Sequence, residues 1–452
     1  MRTVGIIVEY NPMHNGHVYH LQQSKIVAGA DASIAVMSGH FLQRGEPALL
    51  DKWARADMAL AQGVDLVLEL PVAYAVQPAE WFAHGAVATL HATGVVDALC
   101  FGSEIGNIAA ISEAARQLTC ETTVFTQRLQ AALKKGFSYP SAYAYAAQDS
   151  QQAAHITSEG QAHKSNFVSH LQAVHKDDDF TLAASAEGWL DKPNNSLGLH
   201  YMMALQRLGS SIEAYTITRQ EAGYHDVEVN DSPIASATAI RRLLFGSTDA
   251  PLISATKQNT PISGYVPTST VRILQDERSR ERLPMNWEQF AHLLFYKLSI
   301  DSREQLTNIL EVTEGLEYRL LQTLSTLEAP SVELLLQALK TKRYTRTKLQ
   351  RMLTHILLGH TKEAFGPPAL ASGPAYIRVL GFNARGQALL KRMKKTAALP
   401  VIHQMTRENS GLGGPCGLAA DAQATAVYAA ASPQWNGRAA RRDFYEPPRR
   451  TP

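Results

Sequence analysis

Cysteine is scarce. The 452 residues include 3 (Cys100, Cys120, Cys416), far apart and without a CxxC pair, so neither a disulfide framework nor a cysteine zinc site is expected. Long apolar runs are missing as well. The opening MRTVGIIVEYNP is short and carries Glu9, which suits neither a membrane span nor a signal peptide. A reducing, cytoplasmic setting with no membrane contact is the expectation. Charged residues make up 19% and hydrophobic residues 45%, which excludes a disordered or collagenous chain. At roughly 150 residues per domain, the length allows two to four domains.

The net charge of +2 conceals an asymmetry. Residues 1–250 hold 16 lysines and arginines against 25 aspartates and glutamates, a net of −9; residues 251–452 hold 27 against 16, a net of +11. A basic half beside an acidic half points to a polyanionic partner for the basic half. A solvated basic helical surface would give the same count.

Strand-like and helix-like segments alternate in the first hundred residues. Residues 4–8, 32–37, 64–70 and 98–101 are short apolar runs; 16–28, 53–62 and 80–93 have helical character. That alternation predicts an α/β fold, a parallel sheet with helices on both faces. Ligands of such sheets bind at the carboxyl ends of the strands. Residues 147–190, rich in Gln, Ser, His and Asp, form a long excursion. Its His155, His163, His170 and His175 are irregularly spaced and read as solvated, so no metal site is expected. Residues 246–285, with Pro251, Pro261, Gly264, Pro267 and Pro284, read as a linker or crossover. From 287 to about 358 apolar residues recur at helical spacing. No fixed period repeats there, so a helical bundle is expected, not a repeat array. Residues 374–400 suggest one more strand–helix unit. The Arg- and Pro-rich 431–452 reads as a mobile basic tail.

The sharpest motif is His14-Asn15-Gly16-His17, straight after the first strand and opening the first helix. Helix N-termini favour phosphate through unpaired N–H groups and the positive dipole end. Gly16 permits close backbone approach. Imidazoles at i and i+3 share a side of the turn and can donate to phosphate oxygens as charge develops. A polar capped helix start is the bland alternative. A second motif, Ser236-Ala237-Thr238-Ala239-Ile240-Arg241, joins hydroxyls, a helix start and a cation that can grip a triphosphate. Alone it would be only a good N-cap. Around Gly39 and Gly45, the polar Ser38, His40, Gln43, Arg44 and Glu46 suggest a site wall. Asp51, Lys52 and Arg55 read as surface charges at a helix start. Tyr224, His225 and Asp226 could position a base or merely turn the chain. Residues 340–348 pack Lys340, Lys342, Arg343, Arg346 and Lys348 around Tyr344. Cations release counterions from RNA and an aromatic can stack on a base, so RNA contact is favoured over a solvated helix connection. Arg392, Lys394 and Lys395 extend the same surface in this reading.

Together the two phosphate motifs resemble the HxGH and SxTxIR signatures of adenylyl-transferring nucleotidyltransferases. The blocks VGIIVEYNPMHNGHVYHL, MSGHFLQRGEPALLDKWARADMAL, GVDLVLELP, FGSE, KPNNSLGLHYMMAL, AGYHD, ASATAIR and TKRYTRTKLQRML, with VLGFNARG near residue 385, are similar in kind and order to the tRNA(Met) cytidine acetate ligase family. The resemblance implies a Rossmann-like nucleotidyltransferase domain over 1–245, a linker over 246–285, a mainly helical RNA-binding region over 286–430, and the tail. It implies activation of acetate by ATP, with Mg²⁺ accompanying the nucleotide, and acetylation of N4 of the wobble cytidine in elongator tRNA(Met). The family's ATP-binding loop matches Ile7, Val8, Glu9, Tyr10, Asn11, Pro12, Met13, His14, Asn15, Gly16, His17, Val18, Tyr19 and His20. Met13 stands where the family usually has Phe. Further nucleotide contacts match Gly102, Asn194, Arg219 and Gln220, with Ser236 and Thr238 from the second motif. His14, His17 and Arg241 would be the catalytic groups. Two rivals remain at this point. An adenylyl transferase with a small acid acceptor leaves the basic half unused; a noncatalytic RNA-binding protein leaves the phosphate motifs unexplained.

Overall fold

The computed structural model describes residues 1–119, 123–135, 142, 146, 189, 192–219, 235–245, 262–282 and 284–451. Gln220, Tyr224, His225, Asp226, residues 246–261 and the four histidines of the 147–190 excursion lie outside the described residues.

Among the described residues eight strands form one sheet: β1 (Thr3–Val8), β2 (Ala32–Ser38), β3 (Leu66–Leu70), β4 (Ala98–Ser103), β5 (Glu213–Thr218), β6 (Ile377–Phe382), β7 (Val401–Ile402) and β8 (Arg449–Arg450). The order is β5-β4-β1-β2-β3-β6-β7, with β8 also paired to β6. β1 to β5 run parallel: Ile6 pairs with Ala35, Val36 with Leu68 and Val4 with Ala98. Ile6, Ile34, Val36, Leu66 and Leu68 are fully buried, as expected of central parallel strands covered on both faces. The chain moves from β1 out to β2 and β3, then returns past β1 to β4 and β5. Loops leaving β1 and β4 therefore diverge and open a crevice at their carboxyl ends, the usual ligand position in open α/β sheets.

The fold class is as expected from the alternation, but the C-terminal half is less separate than the sequence suggested. β6 lies antiparallel against β3, with Leu66 opposite Phe382, so the strand of the 374–400 unit extends the N-terminal sheet. Asn383 caps the helix Ala384–Thr396 and also donates to Asp65 Oδ1 (2.9 Å), whose Oδ2 accepts from the Ser33 amide (2.8 Å). Part of the expected linker is helical too. Thr268–Ser279 packs on Lys52–Ala61, and Thr270 Oγ1 donates to the Met13 carbonyl (3.1 Å).

Three further expectations change. The tail is docked: Asp443 is fully buried and ion-pairs with Lys52 (2.7 Å), Arg442 bonds Asp51, and β8 pairs with β6. Its arginines find carboxylates hundreds of residues away, which local composition does not reveal. Asp51, Lys52 and Arg55 are buried, not surface charges. Asp51 caps its helix, Lys52 lies between Glu69 and Asp443, and Arg55 donates to the carbonyls of Glu9 (2.8 Å), Ser38 (3.0 Å) and Gly39. Arg392 donates to the Met1 carbonyl (3.2 Å) at the amino end of β1. It therefore sits at the sheet edge opposite the crevice and does not continue a surface there.

Helices from Ala291–Ile300 to Arg346–Leu358 build the expected bundle. The last starts at Thr345, whose hydroxyl accepts from the Lys348 amide (3.3 Å), and stops at Gly359, left-handed at φ 69°. The loop after β2 lies directly on it. Gly45 (φ 78°) would place a Cβ 2.3 Å from the Arg351 nitrogen, and its carbonyl accepts from Thr354 Oγ1 (2.7 Å). No other residue type fits this left-handed, close-packed position.

Candidate active site

A cleft of about 920 Å³ opens at the carboxyl ends of β1 and β4. Its lining includes Ile7, Val8, Glu9, Asn11, His14, Gly16, His17, Tyr19 and His20 from the first loop and helix, Gly102 from β4, and Asn194, Arg219, Ser236, Thr238 and Arg241. These segments are separated by more than two hundred residues in sequence and converge because of the reversal in strand order. Tyr10, Pro12, Met13, Asn15 and Val18 belong to the same loop and helix start but do not line the cleft. Tyr10 and Met13 are packed in the core behind it. Asn15 Nδ2 donates to the Gly264 carbonyl (3.1 Å).

His14 is the N-cap of the helix Asn15–Val27. Its Nδ1 accepts from the Gly16 amide (3.1 Å), while its own amide donates to His17 Nδ1 (3.3 Å), a reciprocal capping box built from two imidazoles. The rings stack with centroids 3.7 Å apart. Because Nδ1 is an acceptor in both rings, the single proton of each neutral ring belongs on Nε2. Burial, then the charges of Arg219 and Arg241, push the His14 pKa down to about 3. Burial, then His14 and His20, hold His17 well below its ordinary value, and burial with Arg219 lowers His20 to about 4. Both motif histidines are thus neutral donors, each anchored by one nitrogen.

Asn194 and Arg219 form a second wall. Arg219 Nη1 donates to Asn194 Oδ1 (2.8 Å), and Asn194 Nδ2 donates to Glu104 Oε1 (2.7 Å). The other oxygen of Glu104 accepts from the Asn195 amide (2.8 Å), and Asn195 Oδ1 in turn accepts from the Glu104 amide (2.9 Å). A Cβ on Gly102 would lie 3.2 Å from Arg219 Cγ, so the glycine leaves room for that side chain. The sequence reading missed Glu104 and Asn195, although both stand in the FGSE and KPNN blocks. Their place as the joint between those blocks is visible only in space.

The second phosphate motif sits across the opening. Ser236 Oγ accepts from the Ala239 amide (3.1 Å) at the start of Ala237–Phe245. Arg241 donates to the Asn11 carbonyl (3.0 Å) and to Glu46 Oε2 (3.0 Å), and reaches Thr238 Oγ1 at 3.4 Å. Glu46 therefore ties the β2 loop to the motif cation. Glu9 accepts from the Gln43 amide (2.8 Å), and burial raises its pKa against the opposing pull of Arg44 and Arg55. Of the polar β2-loop residues, Gln43, Arg44 and Glu46 line the cleft. His40 is buried beside Trp53 and Tyr428 instead, 3.3 Å from Thr425 Oγ1.

The helical half enters the same cleft. Leu310, Glu311, Thr313, Arg343, Thr345, Thr347, Lys348 and Arg351 line it, and of these the sequence pointed only to Arg343 and Lys348 as contacts. Of the expected RNA-contacting cations, Arg343 and Lys348 face the opening. Arg343 is held by Glu314 (2.6 Å), and Lys348 Nζ donates to Thr313 (3.1 Å) and lies 5.8 Å from the Tyr344 ring. Arg346 is clamped by both oxygens of Glu333 (2.8 and 2.5 Å) outside the lining, and Lys340 and Lys342 are exposed beside it. Among the described residues no group of three or more His, Cys, Asp or Glu side chains is arranged to hold a metal ion, and no helix is long and apolar enough to cross a membrane.

A neutral histidine pair, the arginines Arg44, Arg219 and Arg241, and Arg343 and Lys348 of the helical half line one opening. Comparisons with known proteins give the family. A family model described as HIGH Nucleotidyl Transferase matches residues 1–443. The tRNA(Met) cytidine acetate ligase of Lysinibacillus sphaericus (strain C3-41) is 39% identical over 428 residues, 95% of this chain and 94% of that protein. The ligase of the same name from Syntrophotalea carbinolica (strain DSM 2380 / NBRC 103641 / GraBd1) is 37% identical over 99% of this chain and 98% of its own. A crystal structure of Thermotoga maritima TmcAL bound with alpha-thio ATP superposes with a TM-score of 0.81 at 33% identity, covering 100% of both chains. The apo form gives 0.83. The chain belongs to the HIGH nucleotidyl transferases and, within them, to the tRNA(Met) cytidine acetate ligase family.

Proposed function

We propose that this chain is an ATP-dependent ligase that forms acetyl-adenylate and acetylates N4 of the wobble cytidine of elongator tRNA(Met). The observation that carries this reading is one cleft lined both by the nucleotide motifs and by the cations Arg343 and Lys348 of the helical half. A small-acid adenylyl transferase would not need the second group.

In the first half-reaction an acetate oxygen attacks the α-phosphorus of ATP. The bond from the α-phosphorus to the bridging oxygen breaks, and pyrophosphate leaves. His14 and His17, each with Nδ1 held by backbone, present Nε2–H to the α-phosphate oxygens as charge grows. Arg219, braced by Asn194 and Glu104, binds the nucleotide. Arg241, held by Glu46, faces the departing pyrophosphate. The chain's contribution is chiefly position and charge neutralisation. A magnesium ion would come with the triphosphate, whose oxygens suit it and whose charge it would screen.

In the second half-reaction the cytidine amine attacks the acetyl carbonyl, its nitrogen loses a proton, and the carbonyl bond to AMP breaks. The base must be unstacked, which an anticodon loop permits at low cost. Arg343 and Lys348 would hold the adjoining phosphates at the rim. The test is incubation with ATP, acetate and elongator tRNA(Met), followed by mass analysis of nucleosides. N4-acetylcytidine that requires all three is the expected product. Acid-dependent pyrophosphate release without modified RNA would refute the reading.

A further inference from the structure

Five arginines lie in the C-terminal segment from residue 435 onward, and three have defined tasks. Arg442 bonds Asp51 and stacks 4.1 Å from the Trp53 ring centroid; Arg449 pairs with Asp57 (3.2 Å) and Glu446 (2.8 Å); Arg450 lies 5.2 Å from the Phe382 ring. Arg438 and Arg441 are different. Both are exposed, and neither has an ion pair among the described residues. Beside them stand two exposed aromatics, Trp435 at 57% and Tyr445 at 53% of full exposure, where large hydrophobic side chains usually turn inward. The four surround a shallow hollow of about 650 Å³, which shares no lining residue with the active-site cleft.

The platform beneath this hollow is firm. The turn Ala439–Arg441 packs against the helix Leu418–Ala430, and Asp443 anchors the next turn by its bond to buried Lys52. Arg438 lies 5.9 Å from the Tyr445 ring, which pre-orients both side chains. Two cations without carboxylate partners give the surface an uncompensated positive charge. Two exposed rings give it faces on which a planar base can stack. Acidic protein would use the cations but leave the rings idle; a membrane surface would need a longer apolar face than one Trp and one Tyr. Aromatic faces beside arginines without carboxylate partners suit unpaired RNA, which offers both exposed bases and phosphates.

We propose that Trp435, Arg438, Arg441 and Tyr445 form a second RNA-binding site, which takes an unpaired nucleotide and its flanking phosphates away from the reacting base. The inference rests on RNA being the acceptor. It adds a contact that holds the body of the substrate while the active-site cleft handles the target base.

The test uses the full chain and three variants: Trp435→Ala, Trp435→Phe, and the double Arg438→Gln/Arg441→Gln. Binding of an elongator tRNA(Met) transcript is measured across a salt series, alongside acetate-dependent ATP–pyrophosphate exchange. Trp435→Ala should weaken tRNA binding roughly tenfold, the scale of one lost stacking contact. Trp435→Phe should restore most of that loss. The double variant should lower the log–log salt slope by about one to two. Exchange should stay at the parent level in all three, which also reports correct folding. On short RNA oligonucleotides, the Trp435-dependent loss should appear with a single strand and not with a duplex. Unchanged tRNA affinity and salt slope, with exchange intact, would overturn the second site. Equal losses on single strand and duplex would overturn the stacking role. If the parent shows exchange but modifies no RNA, the proposed acceptor fails instead, and the two failures are distinct.

Discussion

In the proposed mechanism His14 does two jobs with two nitrogens, and a substitution can separate them. Its Nδ1 accepts from the Gly16 amide at 3.1 Å, which caps the first helix; its Nε2–H would serve the phosphate. Asn is among the best N-caps, and its side-chain oxygen can take the Gly16 amide in place of Nδ1. It is too short to reproduce Nε2. His14→Asn should therefore keep the helix start and lose the donor, whereas His14→Ala loses both. A lost cap costs about 1 kcal/mol in stability. A lost transition-state donor costs about 3–4 kcal/mol in barrier, a rate loss of roughly 10²–10³-fold. The expected pattern is thus split. Unfolding in urea should place His14→Asn near the parent and His14→Ala about 1 kcal/mol below it. Acetate-dependent ATP–pyrophosphate exchange should fall by roughly 10²–10³-fold in both. If His14→Asn exchanges at nearly the parent rate while His14→Ala does not, the imidazole is only a cap and the catalytic role is wrong.

Other expectations follow from the same geometry. Arg219→Ala should weaken ATP binding by roughly 10–100-fold, the range for one charge-assisted hydrogen bond, and leave tRNA binding largely intact; calorimetric titration with ATP reads the first and a filter assay the second. Arg343→Ala with Lys348→Ala should weaken tRNA binding and reduce its salt slope by one to two, with exchange retained. The slope, not the affinity alone, is decisive, because Arg343 must first leave Glu314. Acid should destabilise the fold through its buried histidines. His355 is held at about 3 and His200 at about 4, both mainly by burial, against an ordinary 6.5. Their folded values are depressed, so the unfolded chain binds more protons between those values and 6.5. Stability is lost as pH falls through that window, on the order of 2 kcal/mol for each histidine by pH 5. Urea midpoints at pH 7 and pH 5, compared with those of His355→Phe, test this; an unchanged pH dependence in the variant removes His355 from the account. Asp443→Asn should cost about 3 kcal/mol in urea unfolding, because Lys52 stays buried with Glu69 as its remaining partner.

Much of this arrangement could be read along the chain, but for a specific reason. The loop 9–17 performs its task within one turn of helix, so its residue types, spacing and position after an apolar run all lie in one stretch. The same holds for Ser236 to Arg241. What could not be read are the partners that the motifs meet. Asn11 and Glu46 receive Arg241 across 230 and 195 residues, and Glu104 receives Asn194 across 90. Locally, Glu46 is one charge near Arg44 in a glycine-bounded loop, and Glu104 merely follows a strand.

The tail shows the opposite error, in which composition is legible and misleading. Five arginines and three prolines in residues 435–452 have the look of a solvated end. Burial of Asp443 reverses that, because the Lys52 ammonium needs more than Glu69 to offset its desolvation, and the added carboxylate comes from the far end of the chain. The two sets of residues that line the cleft are also far apart in the chain: Glu46 of one set is 304 residues from Gln350, the neighbour of Arg351 in the other. Gly45 lies against the backbone at Gln350 and Arg351 with no room for a side chain, so the β2 loop that supplies Glu46 to Arg241 is seated on the helix that begins beside Arg343 and Lys348. The sheet edge proposed to bind nucleotide and the helix proposed to meet RNA are thereby held as one wall. A reaction that forms an activated acid at one end and uses it at the other needs that continuity, because the intermediate must reach the acceptor before water does.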